Sequence, residues 1–337
     1  GNHGDNILYI FDLNSSGFIE KASKRQKGTK KITARYNYYP KTRYGNHGSN
    51  ILYVFNFNNE GHVTQASKRQ KGTKQITSRY EYYPKTVYGT HGKNIKYIYN
   101  LNQSGHVIKA TQREKGTQRI LTWYQYYSNT LFNARGSNIE YIFNLNNKGY
   151  VYQSSKRVKN SKRIVARYSY YDKAIYGKQG PKVKYIYNYD ESGYMTSSLT
   201  RQENSFKVLK AYEYYPKTTA SNRAKNIKYY FNITSSGIIS SANLRERGTQ
   251  KNLGLYSFRS GTRYGAHWSR LESMSLYVPK IMQNPGMPWG CSVVSLTQAL
   301  NFKGYNLDKT YMGKTMTYAS NPYKGYVGSP FRSQQGD

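Results

Sequence analysis

One cysteine in 337 residues excludes an internal disulfide framework. Acidic residues are almost as scarce, with 16 Asp and Glu against 52 Lys and Arg and a formal net charge of +36. No apolar run reaches the roughly 18 residues of a membrane-spanning helix. Neither a signal peptide nor an initiator Met is present. Gly1-Asn2-His3-Gly4 matches Gly45-Asn46-His47-Gly48, so the chain opens inside a spacer and is expected to be a fragment, whose missing targeting signals prove nothing.

What is present is a period of 44 residues. The reference glycine of one turn stands at Gly17, Gly61, Gly105, Gly149, Gly193 and Gly237. The spacer pair Tyr44-Gly45 returns as Tyr88-Gly89, Tyr176-Gly177 and Tyr264-Gly265. A fixed period makes residues 1–264 an array of small units rather than one site. The 73 residues from Gly265 onward carry seven Lys/Arg and three Asp/Glu, a surplus of four, which leaves +32 on the array. Such a field favours polyanions and weakens as salt rises. The 39 tyrosines hold fixed phases of the repeat, whereas disordered basic tails are poor in aromatics.

Within the first unit, Ile7, Tyr9, Phe11 and Leu13 share one parity, the pattern of a strand. Asn14-Ser15-Ser16-Gly17 is a turn, and a second strand covers about 18–23. The basic turn Lys24-Arg25-Gln26-Lys27-Gly28-Thr29 follows, repeated as Lys68-Arg69-Gln70-Lys71-Gly72-Thr73. A third strand spans 31–39 and ends at Pro40, which cannot donate to a ladder. The fold class is therefore mostly β: six 44-residue three-stranded meanders (1–264), a linker (265–275), and a truncated α+β domain (276–337).

Lys24, Arg25, Lys27, Lys68, Arg69 and Lys71 are the candidate polyanion-binding residues. The bland alternative is that they solvate an exposed edge and prevent edge-to-edge pairing. Cations beside tyrosine faces suit a polymer of phosphates or sugars. Nucleic acid is the weaker expectation, because nothing resembles an established nucleic-acid-binding motif. No cofactor and no metal is expected: His3, His47 and His91 lie at one phase, His62 and His106 at another, without recurring ligand spacing, and read as spacer or surface residues. The hairpin array is similar in style to cell-wall- and glycan-binding repeats of Gram-positive surface proteins. That resemblance implies an extracellular, surface-held protein. Tryptophan, which marks choline- and glucan-binding repeats, is absent from these units apart from Trp123, so an anionic wall polymer such as teichoic acid, or a host or bacterial glycan, is the expected partner.

In the tail, Cys291 follows a Pro- and Gly-bearing loop and precedes Val293, Leu296, Thr297 and Leu300 at helical spacing, up to Gly304. A cysteine on an apolar helix is commonly inert, but a helix N-terminus favours thiolate. Gln283, eight residues upstream, is placed to donate to an oxyanion. The run Val278-Pro279 through Gln283, Pro288, Gly290-Cys291 and Asn301-Phe302, with Asn321-Pro322-Tyr323-Lys324-Gly325-Tyr326-Val327-Gly328-Ser329-Pro330, resembles the C39-like family of papain-fold cysteine peptidases. The resemblance implies Cys291 as nucleophile, Gln283 in the oxyanion hole and a peptide or amide substrate. Ser292 departs from the Glu that commonly follows the cysteine. No histidine follows Cys291, whereas the family's histidine and its acidic partner come after the cysteine helix. This chain is therefore expected to be catalytically incomplete. A non-catalytic surface adhesin with a degenerate peptidase-like domain is the second expectation.

Overall fold

The computed structural model describes residues 3–321, 323–327 and 329–331, in two compact units, 1–209 and 210–337. The first unit is an antiparallel meander. Its first repeat comprises β1 (Tyr9–Leu13), β2 (Ile19–Arg25) and β3 (Ile32–Thr42); the second β4 (Ile51–Phe57), β5 (Val63–Arg69) and β6 (Ile76–Tyr82). The third holds β7 (Ile95–Leu101), β8 (Val107–Arg113) and β9 (Ile120–Tyr126), and the fourth β10 (Ile139–Leu145), β11 (Val151–Arg157) and β12 (Ile164–Tyr170). β13 (Val183–Tyr189) and β14 (Met195–Arg201) begin the fifth. Each strand from β1 to β14 pairs with the next, so the repeats form continuous sheet rather than separate beads. Two details differ from expectation. Lys24 and Arg25 belong to β2, so the basic turn proper starts at Gln26. In the first repeat β3 continues through Pro40, because Thr42 folds back to pair with Ile19.

Three strands is an odd number, and that decides the geometry. Each repeat leaves the sheet pointing opposite to the way it entered, so homologous loops of successive repeats lie at opposite ends of the strands. Faces alternate as well. Directly opposed residues of an antiparallel ladder share a face. Tyr9 and Phe11 oppose Lys24 and Ala22, which oppose Ala34 and Tyr36. In the second repeat, Tyr53 and Phe55 oppose Asn37 and Arg35, of the other parity to Tyr36. The aromatic stripe has changed sides, and it changes again at Tyr97 and Tyr99, which oppose Glu81 and Arg79.

Each stripe is covered by the spacer of its own repeat. Tyr44 and His47 meet Phe11 edge-on at 5.3 and 5.2 Å, and Tyr88 and His91 meet Phe55 at 5.2 and 4.8 Å. Beneath lie a branched side chain and a small one, Ile19 with Ala22 and Val63 with Ala66, all at most 4% exposed. A small residue is needed there because rings from both flanking strands lean over it. Burying each branched residue contributes about 1.5–3 kcal/mol.

Successive repeats are tied at fixed offsets. The hydroxyls of Tyr39, Tyr83, Tyr127 and Tyr171 donate to the carbonyls of Arg69, Arg113, Arg157 and Arg201 at 2.6–2.7 Å. Spacers reach back one repeat: Tyr88 donates to Asn37 Oδ1 at 2.9 Å and Arg135 pairs with Glu81 at 2.6 Å. Arg35 lies 4.6 Å over Tyr88 and Arg79 4.6 Å over Phe132. Trp123 takes the arginine's place at that phase and stacks on Tyr176 at 4.5 Å, 2° from parallel.

The second unit holds β15 (Val208–Tyr214), β16 (Ile227–Ile233), β17 (Ile239–Arg245), β18 (Asn252–Phe258) and β19 (Leu271–Leu276), each paired with the next, then helices α1 (Cys291–Phe302) and α2 (Lys309–Thr315). The segment 265–275, expected as a linker, carries a 3-10 turn at Trp268–Arg270 and most of β19, at the phase of a seventh first strand. His267 covers Phe231 at 4.6 Å and meets Glu213 at 3.0 Å, repeating the spacer arrangement. Among the described residues, helices occur only after β19 apart from short 3-10 turns, and none is long and apolar enough to cross a membrane.

Candidate functional site

Cys291 is the first residue of α1 and is exposed. Its position depends on Gly290. A Cβ there would stand 2.9 Å from the Met287 Cβ and 3.2 Å from that of Pro330, so only glycine lets the chain enter the helix at this point. Behind the thiol, Met287, Val293 and Val294 form a small core with Ile281, Met312, Met316, Tyr326 and Phe331 packed on it. The helix ends as expected at Gly304 (φ +99°). Gly304 N–H bonds the Asn301 carbonyl and Tyr305 N–H that of Leu300, a Schellman closure. Asn301 then holds both the N–H and the carbonyl of Leu307 with its side-chain amide, at 2.8 and 2.9 Å, which fixes the connection to α2.

Gln283 is half-buried in the loop before the helix, and its amide donates to the Pro288 carbonyl. An amide nitrogen carries two hydrogens, so this bond orients the group without exhausting its donors. The loop itself is gripped from both helices. Gln298 of α1 donates to the Ile281 carbonyl at 3.2 Å, and the Lys309 ammonium of α2 donates to the carbonyls of Met282, Gln283 and Pro285 at 2.6, 2.9 and 2.8 Å. Sequence reasoning missed Lys309; no linear signal links it to a loop 24 to 27 residues upstream. Ser292 Oγ lies 3.9 Å from the thiol sulfur. The Tyr326 phenol is pushed up by burial first and then by the charge of the neighbouring Cys291. Its backbone is pinned to Thr317 and Ala319, where Gly325 leaves no room for a Cβ, 2.7 Å from the Thr317 carbonyl oxygen. Pro322 and Gly328 of the family-like motif lie outside the described residues.

His47, His91 and His267 are spacer residues packed on aromatic rings, and His62 and His106 lie at hairpin turns. No group of three or more His, Cys, Asp or Glu suited to a metal occurs among the described residues.

The six cations singled out in the array do not form one stripe. Lys24, Arg25 and Lys27 stand at one end of the strands and Lys68, Arg69 and Lys71 at the other, as the odd strand count requires. Within each trio the roles divide. Lys24 and Lys68 sit 5.8 and 5.9 Å over the rings of Tyr9 and Tyr53. Arg25 and Arg69 are half-buried, and the Arg69 carbonyl receives the Tyr39 hydroxyl. Lys27 and Lys71 are exposed at the hairpin tips, beside the equally exposed Lys30 and Lys74.

Residues 275–336 match the model of the Peptidase_C39 like family. That match supports a C39-like domain at the C-terminal end, and it does not extend to the array. No curated protein matches the chain. Among solved structures, the chain is similar to S. aureus TarM in complex with fondaparinux, alpha-GlcNAc-glycerol and UDP, at 9% identity over 47% of this chain and 21% of that one, TM-score 0.14. TcdB2-TccC3 without its hypervariable C-terminal region is similar at 11% identity over 84% and 14%, TM-score 0.17. A porin-like protein from Bacteroides uniformis is similar at 8% identity over 80% and 89%, TM-score 0.13. The chain spans well under two thirds of the first two. At these TM-scores none of the three bears on its fold or activity.

Proposed function

We propose a bacterial surface or secreted protein in two parts, in which the basic array holds an anionic cell-wall polymer or glycan and the C39-like segment supplies a thiol for peptide or amide hydrolysis. The observation that carries the chemical half is the setting of Cys291. Its thiol is exposed at the head of α1 instead of packed into the apolar core, beside a loop that four hydrogen bonds from Gln298 and Lys309 hold in place. Attack of the thiolate on a carbonyl carbon moves charge to the carbonyl oxygen, and the Gln283 side-chain amide, in the clamped loop before the helix, is the donor assigned to receive it. General-base catalysis needs a further group, and no histidine follows Cys291. Turnover is therefore expected only where an additional segment supplies the base, while the reactivity of the thiol is readable on this chain alone.

Native protein should be alkylated at Cys291 by iodoacetamide as fast as an unfolded control, and Cys291→Ala in any hydrolytically active longer form should abolish turnover. A thiol that reacts only after unfolding, or unchanged turnover in Cys291→Ala, would sink the assignment. The second reading, a non-catalytic adhesin, is favoured by the engagement of His47, His91 and His267 in the spacers.

A further inference from the structure

The spacers carry glycine at one phase, Gly48, Gly92, Gly136 and Gly180, which becomes Ala224 and then Trp268. Gly48 and Gly92 lie outside the left-handed region, and a Cβ on either would meet nothing within 4 Å. Neither backbone conformation nor crowding calls for glycine at these two positions. Trp268 shows what a larger residue does there. Its indole stands 4.7 Å from the ring of Tyr229 and 5.8 to 6.0 Å from those of Tyr256, Phe231 and Phe258, and its Nε1–H donates to the Glu213 carboxylate at 3.2 Å.

The four aromatic positions under that indole are Tyr9, Tyr36, Phe11 and Tyr38 in the first repeat. With no side chain on Gly48, they line a concavity of about 320 Å³ together with His47 and Ile51. That is large enough for a small-molecule site. The second repeat has the same residue types at these phases, Tyr53, Phe55, Tyr80, Tyr82, His91 and Gly92, under the same cover. His47 lies 5.2 Å from Phe11 and 6.4 Å from Tyr38, and His91 lies 4.8 Å from Phe55 and 6.2 Å from Tyr82.

Two further differences separate these open slots from the filled one. Lys24 and Lys68 oppose Tyr9 and Tyr53 in the ladder, where the sixth repeat sets Leu244 against Tyr229. The imidazoles differ as well. Nδ1 of His47 and of His91 faces the carbonyl of Tyr44 and of Tyr88, so it donates, and Nε2 of the neutral ring is left as an acceptor. In His267, Nδ1 accepts from the Gly265 N–H at 3.1 Å and Nε2 meets Glu213 at 3.0 Å, so both nitrogens are used within the chain. Where the slot is plugged, the cation and the spare acceptor are gone too.

We propose that the first two repeats each hold a slot for one pyranose ring bearing an anionic group. Aromatic faces match the C–H faces of a sugar, and the phenols and the imidazole acceptor match its hydroxyls. A purely aromatic or hydrocarbon ring would cover those polar groups without pairing them. Lys24 or Lys68 meets the anionic substituent, and no acidic residue lines the slot. This rests on, and sharpens, the reading that the array holds an anionic polymer or glycan. The two slots lie on opposite faces of the sheet, as the aromatic stripes do, so each acts alone.

The test plugs both slots as the sixth repeat is plugged, with Gly48→Trp and Gly92→Trp, which leaves the net charge unchanged. Binding of oligogalacturonate, an anionic pyranose chain, and of linear polyphosphate, an anion without a ring, is measured alongside Tm. Gly48→Leu with Gly92→Leu serves as a smaller plug if the tryptophan pair lowers Tm. The expected result is affinity for oligogalacturonate reduced at least about fivefold, with affinity for polyphosphate unchanged. Equal effects on the two ligands, or none on either, in a folded variant overturn the slot while leaving attachment to anions standing. Competition by N-acetyl-tryptophanamide but not by galacturonate reassigns the slot to an aromatic side chain and overturns the sugar. Absence of binding of either polyanion by the parent defeats the anchoring function itself.

Discussion

Ring and hydroxyl of a tyrosine are used separately in this chain. Rings of Tyr53, Tyr80 and their counterparts bury on the sheet face, while the hydroxyls of Tyr39 and Tyr83 bridge to the next repeat. Burial has a measurable consequence, because it raises the phenols of Tyr80, Tyr99, Tyr124 and Tyr170 to about 12. An unfolded tyrosine ionises near pH 10. The folded state therefore keeps protons that the unfolded state releases, so this contribution to stability is complete below about pH 10 and is lost as pH rises towards 12. Ultraviolet difference titration should resolve exposed tyrosines ionising near 10 from a buried class that ionises near 12, with Tm falling across that interval. A single step near 10 in native protein would refute the packing described here. Tyrosine phases were legible in the sequence, but which ring a spacer covers was not, since partners such as Tyr88 and Asn37 lie 51 residues apart.

At the scale of elements, the strands and turns follow from the two-residue parity and the glycine phases. Three strands per repeat could be counted in the sequence. The reversal of ends and faces that follows from an odd count also requires an unbroken sheet, which the repeat alone does not establish. This is why Lys24 and Lys68 look equivalent in sequence yet stand at opposite ends. The linker expectation for 265–275 failed for a related reason. Leu271–Leu276 shares the phase of the other first strands but lacks their alternating tyrosines, so periodicity hid it. In the C-terminal segment the helix start and end were visible at Cys291 and Gly304, whereas the clamp on the Gln283 loop was not. Lys309→Met should release that loop, because three carbonyls lose one shared donor. Limited trypsin digestion would then cut after Lys280 markedly faster than in the parent, with the far-UV spectrum of the array unchanged. Equal cleavage rates would show that Lys309 does not hold the loop.

Across the whole chain, charge and architecture point the same way. An array carrying +32 presents cations at both ends of its strands, and several of its acids are committed internally, as Glu81 is to Arg135, Glu114 to Arg119 and Glu213 to His267. The tyrosines that would otherwise supply exposed stacking faces are mostly used in packing, which leaves electrostatics as the principal means for the proposed attachment. That dependence is directly measurable, since screening shortens to about 8 Å at physiological ionic strength and further at higher salt. Co-sedimentation of the protein with purified teichoic acid and with a neutral glucan, across a salt series, is the most direct test. The account predicts retention on teichoic acid that weakens steeply with salt and negligible retention on the glucan; retention that is independent of salt, or equal on both polymers, would contradict it.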